Sequence, residues 1–253
     1  MSGMPLIVLA LRARRQRIAL LIAFAFVFLA AAVTARVVGG HEGHVEFDRL
    51  FELGGYPLIS GMLLIGWLLG RFGMLATFVM LAGVFSSDRA DGTARLIYAR
   101  PISPMRVYFT RFFVFALAAF TISALLMPLF DVIMLGRWAG PSTFVLIGCY
   151  VLTFGSLTFL LSIWTRADAW LAVMLALIAM IWHALRRGDV LGGTAPGIRE
   201  LITILLPPHG ALVQVEQAFA QSLPVPWVAV LFVVMYSALL LLLAAASLMR
   251  REV

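Results

Sequence analysis

Apolar side chains run almost unbroken through six stretches of this chain: Ile18 to Ala35, about Gly66 to Phe85, Phe112 to Phe130, Thr143 to Trp164, Ala169 to Leu185, and Trp227 to Met249. Each is close to the roughly 20 residues that an α-helix needs to cross a bilayer. The pattern predicts an all-α, polytopic membrane protein with six transmembrane helices, one transmembrane domain over residues 1–253. The first run leads into further spans and no small-residue cleavage pattern closes it, so it is expected to stay in the mature protein rather than act as a signal peptide.

Composition agrees with this class. Hydrophobic residues make up 63% of the 253 residues and charged ones 12%, against about 45–50% and about 25% in soluble domains. The net charge of +7 comes from 19 basic residues that are all Arg. Six spans put both termini on one side, and twelve Arg then fall on that side with the 88–106 loop, six on the other, and Arg71 within a span. The positive-inside rule makes the twelve-Arg side cytoplasmic and the expected location the inner membrane. No Arg stripe with interleaved aromatics is present, so lipid headgroups rather than nucleic acid are the expected partners of this charge. The one cysteine, Cys149, lies in an apolar run, which excludes an internal disulfide and suits a packed thiol.

Segments between the spans carry further structure. Residues 1–17 join the apolar Pro5-Leu6-Ile7-Val8-Leu9-Ala10-Leu11 to an Arg cluster, a pattern suited to a helix lying in the interface. Residues 186–226 begin as a Gly-rich loop and continue as two short helical patterns, Ile198 to Leu206 and Ala211 to Phe219, split by Pro207-Pro208-His209-Gly210. Arg71, between Gly70 and Gly73, is expected to snorkel outward or meet a carbonyl, with a pathway role as the alternative. Asp131 should mark the outer end of the third span and Asp168 the inner start of the fifth. Few ionisable groups lie deep in the spans, so the energy for any transport is expected to come from outside the chain. No metal site is expected: His41 and His44 do not have the spacing of the zinc protease pair, and His183 and His209 stand alone.

The most informative segment runs from Asp88 to Pro104. Two Asp and three Arg between Asp88 and Arg100 exclude it from hydrocarbon, yet Leu96, Ile97 and Ile102 give it apolar side chains at helical spacing. It reads as a short amphipathic helix outside the bilayer that offers a face to a partner. Gly92-Thr93 turns the chain and starts the helix with Asp91 at its positive end, and Pro101 stops it.

Gly92-Thr93 followed by Arg100-Pro101-Ile102-Ser103 resembles the loop between the second and third spans of ABC-2 type transporter permeases. The resemblance extends over nearly the whole chain: an interfacial helix, six spans, this loop in the right interval, and paired short helices before the last span. One departure is Ala90, where family members often carry an acidic residue two before the Gly-Thr pair. The resemblance implies an exporter's permease subunit that pairs with a second permease chain, identical or related. It also implies a separate cytoplasmic ATPase, holding ATP and Mg, docked on a coupling helix within residues 86–106. The docking residues would be Asp91, Gly92, Thr93, Arg95, Leu96, Ile97, Arg100, Pro101 and Ile102. With no Walker loop in the sequence, this chain itself is not expected to be an enzyme or to hold a cofactor. A membrane scaffold that recruits a non-ATPase partner is the alternative. A CDP-alcohol phosphotransferase is a poorer one, because only Thr93 separates Gly92 from Ala94-Arg95 and the downstream Asp pair of that signature is missing.

Overall fold

A computed structural model of the chain describes residues 12, 14–41, 44, 45, 71–98, 103–136, 138, 140–188, 196–221 and 223–250. Its helices among those residues are α1 Arg15–Gly39, α2 Phe72–Leu81, α3 Ser86–Ala90, α4 Thr93–Tyr98, α5 Pro104–Leu135, α6 Ser142–Trp164, α7 Asp168–Arg187, α8 Pro196–Leu205, α9 His209–Ala220 and α10 Trp227–Met249. A two-residue antiparallel pairing after α1 sets Gly40 opposite Val45 and His41 opposite His44. Five helices, α1, α5, α6, α7 and α10, are long and apolar enough to cross a membrane. The chain is therefore a multi-pass membrane protein.

The span expected over about 66–85 is represented among the described residues by α2 alone, whose ten residues cover about 15 Å at 1.5 Å per residue. Residues 66–70 lie outside the described residues. At its other end α2 stops at Leu81 instead of running to Phe85, because Ala82 leaves the helical region and Gly83 takes a left-handed φ of 69°. The third expected span, by contrast, is longer than its apolar run. Pro104, which lacks the N–H that a first helical turn leaves unbonded anyway, opens α5, and Gly136 at φ 68° closes it.

Contacts at the helix ends set their directions. Side chains at the start of α1 reach the end of α2, and Arg89 on α3 reaches the Ile163 carbonyl at the end of α6. The first residue of α7 bonds Gly83, and Trp164 Nε1 donates to Ser247 Oγ near the end of α10 at 3.1 Å. So α1, α5 and α7 leave this arginine-rich end of the bundle, and α2, α6 and α10 return to it. The sense of α2 is the one a return crossing needs.

Helix α6 sits at the centre. Within the most apolar stretches, 72% of α6 is buried, against 33% of α5 and α10 and 17% of α1 and α7. It packs on α2, α5, α7, α9 and α10. The outward faces of the outer helices present large apolar side chains such as Phe26, Leu117 and Leu242, as a lipid-facing surface must. Small residues let α6 and α2 approach closely: a Cβ on Gly155 would stand 2.9 Å from Leu81 Cδ1, with Thr77 and Phe112 beyond. Gly155→Val is expected to cost about 1–3 kcal/mol of stability by overpacking. Gly155→Ala should cost less, because only the flexible end of Leu81 has to move. Thermal unfolding in detergent checks both.

Candidate functional site

The arginine-rich end is built around the turn that follows α2. Helix ends leave backbone carbonyls without partners, and these carry the negative end of the helix dipole. Two Arg from the start of α1 meet that need. Arg17 donates to the Val79 carbonyl at 3.1 Å and to the Ala82 carbonyl, and Arg14 donates to the Gly83 carbonyl at 2.7 Å. Burial, with Arg17 close by, pushes the Arg14 guanidinium down to about 10, so it stays charged at neutral pH. Asp88 and Asp168 supply balancing negative charge, and Asp168 is only 4% exposed. It accepts the Gly83 N–H at 2.6 Å and the Ser86 hydroxyl at 3.4 Å. Sequence reasoning placed Asp168 at the start of its span without assigning it a partner.

The charged segment continues this brace. Asp88 forms an ion pair with Arg111 of α5 and accepts the Tyr108 hydroxyl at 3.3 Å. Phe85, 2% exposed, packs edge-on against the Tyr108 ring at 4.7 Å. Arg89 caps α6 through the Ile163 carbonyl at 3.2 Å. Asp88 and Arg89, at the start of the charged segment, are thus engaged within the chain.

The single amphipathic helix expected here is two short ones, α3 and α4, joined through Gly92 at φ 74°. As anticipated, the second starts at Thr93. Asp91, Gly92 and Arg95 are exposed, and Thr93 is half-buried. Ile97 and Tyr98 are half-buried and pack against the chain's own core, so this part of the expected apolar face is shared with the fold. The Leu96 side chain, and Arg100, Pro101 and Ile102, lie outside the described residues. A Cβ on Gly92 would have no atom of the described residues within 4 Å, so substitution there tests mainly backbone conformation. Gly92→Asn should be close to neutral and Gly92→Val should cost about 1–2 kcal/mol, by denaturation, since only the former tolerates a left-handed φ.

A second polar cluster lies in the other half of the bundle. Arg71 pairs with Glu216 of α9 at 3.0 Å, and the Tyr150 hydroxyl of α6 donates to the other carboxylate oxygen. Arg71, for which an outward snorkel or a carbonyl contact was expected, is ion-paired with Glu216. Glu216 escaped notice in the sequence, although Leu212, Val215, Glu216 and Phe219 share one helical face, so an acid on the buried side of α9 could have been inferred from spacing. Beside the cluster is a cavity of about 250 Å³ with walls that include Met74, Phe78, Phe154 and Leu212. His209 stands between this cavity and a larger one, with its ring edge-on to His183 at 5.5 Å. Burial, followed by the nearby His183 and Arg71, pushes His209 down to about 4, so it is neutral at physiological pH.

Cys149 is buried, as expected, and Asp131, 4% exposed, lies near the end of α5, which closes at Leu135. Among the described residues no three His, Cys, Asp or Glu come together in a way that could hold a metal ion. Comparison with known proteins found no matching family model, no matching curated protein and no matching solved structure.

Proposed function

We propose that this chain is the permease subunit of an ATP-driven exporter of the ABC-2 kind, with six spans and both termini in the cytoplasm of the inner membrane. It works as a pair with a second permease chain and receives a separate cytoplasmic ATPase, which supplies ATP and Mg, on the 86–106 segment. One observation carries the reading. The turn and the short helix α3 bond to the ends of α1, α5, α6 and α7 through Arg14, Arg17, Asp88, Arg89, Arg111 and Asp168, and α4 follows α3 through Gly92 with Ile97 and Tyr98 packed on the core. A push on a segment held in this way cannot be absorbed locally, because packed elements move as units. It is passed to four spans at once, which is what coupling to an external motor requires. The exposed Asp91 and Arg95 remain available to the partner.

The test is a pull-down of the tagged chain from native membranes in mild detergent, with mass spectrometry and ATP hydrolysis measured on the eluate. An ATPase subunit should co-elute in stoichiometric amount. Arg95→Glu combined with Leu96→Asp should lower its recovery about tenfold or more, the loss of one or two interface contacts, with membrane insertion unchanged. Recovery that ignores this variant would remove the docking assignment, and an eluate with no ATPase would favour a scaffold.

A further inference from the structure

The larger cavity, about 610 Å³, opens at the end of the bundle opposite the brace, between α7, α8, α9 and α10. Its chemistry is lopsided. Arg186 and Arg187, in the last turn of α7, stand on its wall with His183, Thr203 and Gln214, and among the described residues no carboxylate lines it. Val228 and Phe232 of α10, both exposed, form an apolar side. The wall between α7 and α8 is fastened: Trp182 Nε1 and an Arg186 guanidinium N–H each donate to Thr203 Oγ1 at 3.0 Å. The Pro207-Pro208 turn, buried at both residues, closes the floor, and a Cβ on Gly210 would press to 3.2 Å on the His183 ring.

Trp227, 68% exposed at the start of α10, sits where the interfacial aromatic belt of a membrane protein is found. The cavity thus lies at headgroup depth, with two cations on one wall and an apolar strip on another. Arg at a helix C-terminus also complements the helix dipole, but that role needs neither a cavity nor an apolar strip beside it. We infer that this cavity binds an anionic phospholipid, its phosphate against Arg186 and Arg187 and an acyl chain along Val228 and Phe232. A guanidinium pair meets phosphate through charge-assisted, bidentate hydrogen bonds, and the acyl chain removes the apolar strip from water at the membrane boundary. A zwitterionic headgroup would bring its own cation beside the Arg pair and supply no net negative charge, and a free anion would leave the strip uncovered. The site is independent of the ATPase reading, because no part of it touches the 86–106 segment.

The experiment uses the full-length protein in neutral detergent and native mass spectrometry to count bound lipid, with no ATPase present. The probes are short-chain phosphatidylglycerol, phosphatidylcholine of the same chain length, and inorganic phosphate. Phosphatidylglycerol should bind about tenfold or more tightly than phosphatidylcholine, the scale set by two interfacial cations. Arg186→Gln with Arg187→Gln should abolish that preference. Thr203→Val, which cuts the Arg186 tether but keeps both charges, should leave the preference in place and so separates lost charge from a disturbed wall. Val228→Trp, at a position 85% exposed and able to accept bulk without strain in the core, should weaken both lipids. Equal affinity for the two lipids, or a preference that survives the double Arg variant, would overturn the site. Competition by inorganic phosphate as effective as that by the lipid would assign it to a free anion instead, and unaltered lipid binding in Val228→Trp would remove the acyl-chain placement.

Discussion

Asp168→Ala is expected to destabilise the protein by about 3–5 kcal/mol, the range found when one partner of a buried charged network is removed. The loss has three sources in the structure. The Gly83 N–H, bonded at 2.6 Å, would be left buried without an acceptor, and the Ser86 hydroxyl would lose the same oxygen. Arg14 and Arg17 would lose a nearby negative charge; Arg14 would keep Asp88, the Phe115 ring and a backbone carbonyl, and Arg17 its backbone carbonyls. Asp168→Asn retains an acceptor for Gly83 and removes only the charge, so its effect should fall between wild type and Asp168→Ala. Thermal unfolding in detergent measures both. A cost below about 1 kcal/mol for Asp168→Ala, the value of a single net hydrogen bond, would mean that the turn is held by packing alone. The same variant also examines the proposed coupling: if the brace transmits motion, a partner ATPase should still bind while its hydrolysis no longer drives transport.

The second large effect concerns Arg71 and Glu216. Either single replacement by Leu leaves the other charge inside the bundle, and each should cost about 3 kcal/mol, the lower end of that range because the side chains are 18% and 22% exposed. The double replacement should cost less than the sum, with a coupling energy of about 1–3 kcal/mol, because it removes both charges together and leaves apolar groups in an apolar cavity. Tyr150→Phe should cost about 1 kcal/mol, the loss of one hydrogen bond. Strict additivity of Arg71→Leu and Glu216→Leu in thermal unfolding would mean that the two charges do not support one another and that α9 is seated by Leu212 and Val215, which are 1% and 3% exposed.

Much of the architecture was legible along the chain because hydropathy is a local property. Runs of about 20 apolar residues have few ways to satisfy their backbone in lipid other than as helices, and five of the six expected spans stand as helices of crossing length. Turn chemistry is local too. Gly92 and Pro104 mark the start of α4 and α5, and the Pro207-Pro208 pair separates α8 from α9, because φ preferences belong to the residue itself. Where the pattern was incomplete, a local cause was still at work: from Phe72 to Phe85 the second run has no break in hydropathy, yet the left-handed Gly83 ends its helix at Leu81.

The sequence by itself therefore determined the class of the protein, the positions of its long apolar helices and the Gly92 turn within the charged segment. The tertiary structure decided which polar groups meet. Gly83 and Asp168 are 85 positions apart, and Arg71 and Glu216 are 145 apart. No periodicity connects such positions, because a hydrogen bond depends on which helices pack as neighbours and on the depth at which each side chain arrives. That is why the charged segment, which from the sequence promised a free face, proved to be tied at its start to α5 and α6, with the turn before it tied to α1 and α7. The same packing around α6 brought Arg71, Tyr150 and Glu216 from three separate helices and their ends into one cluster.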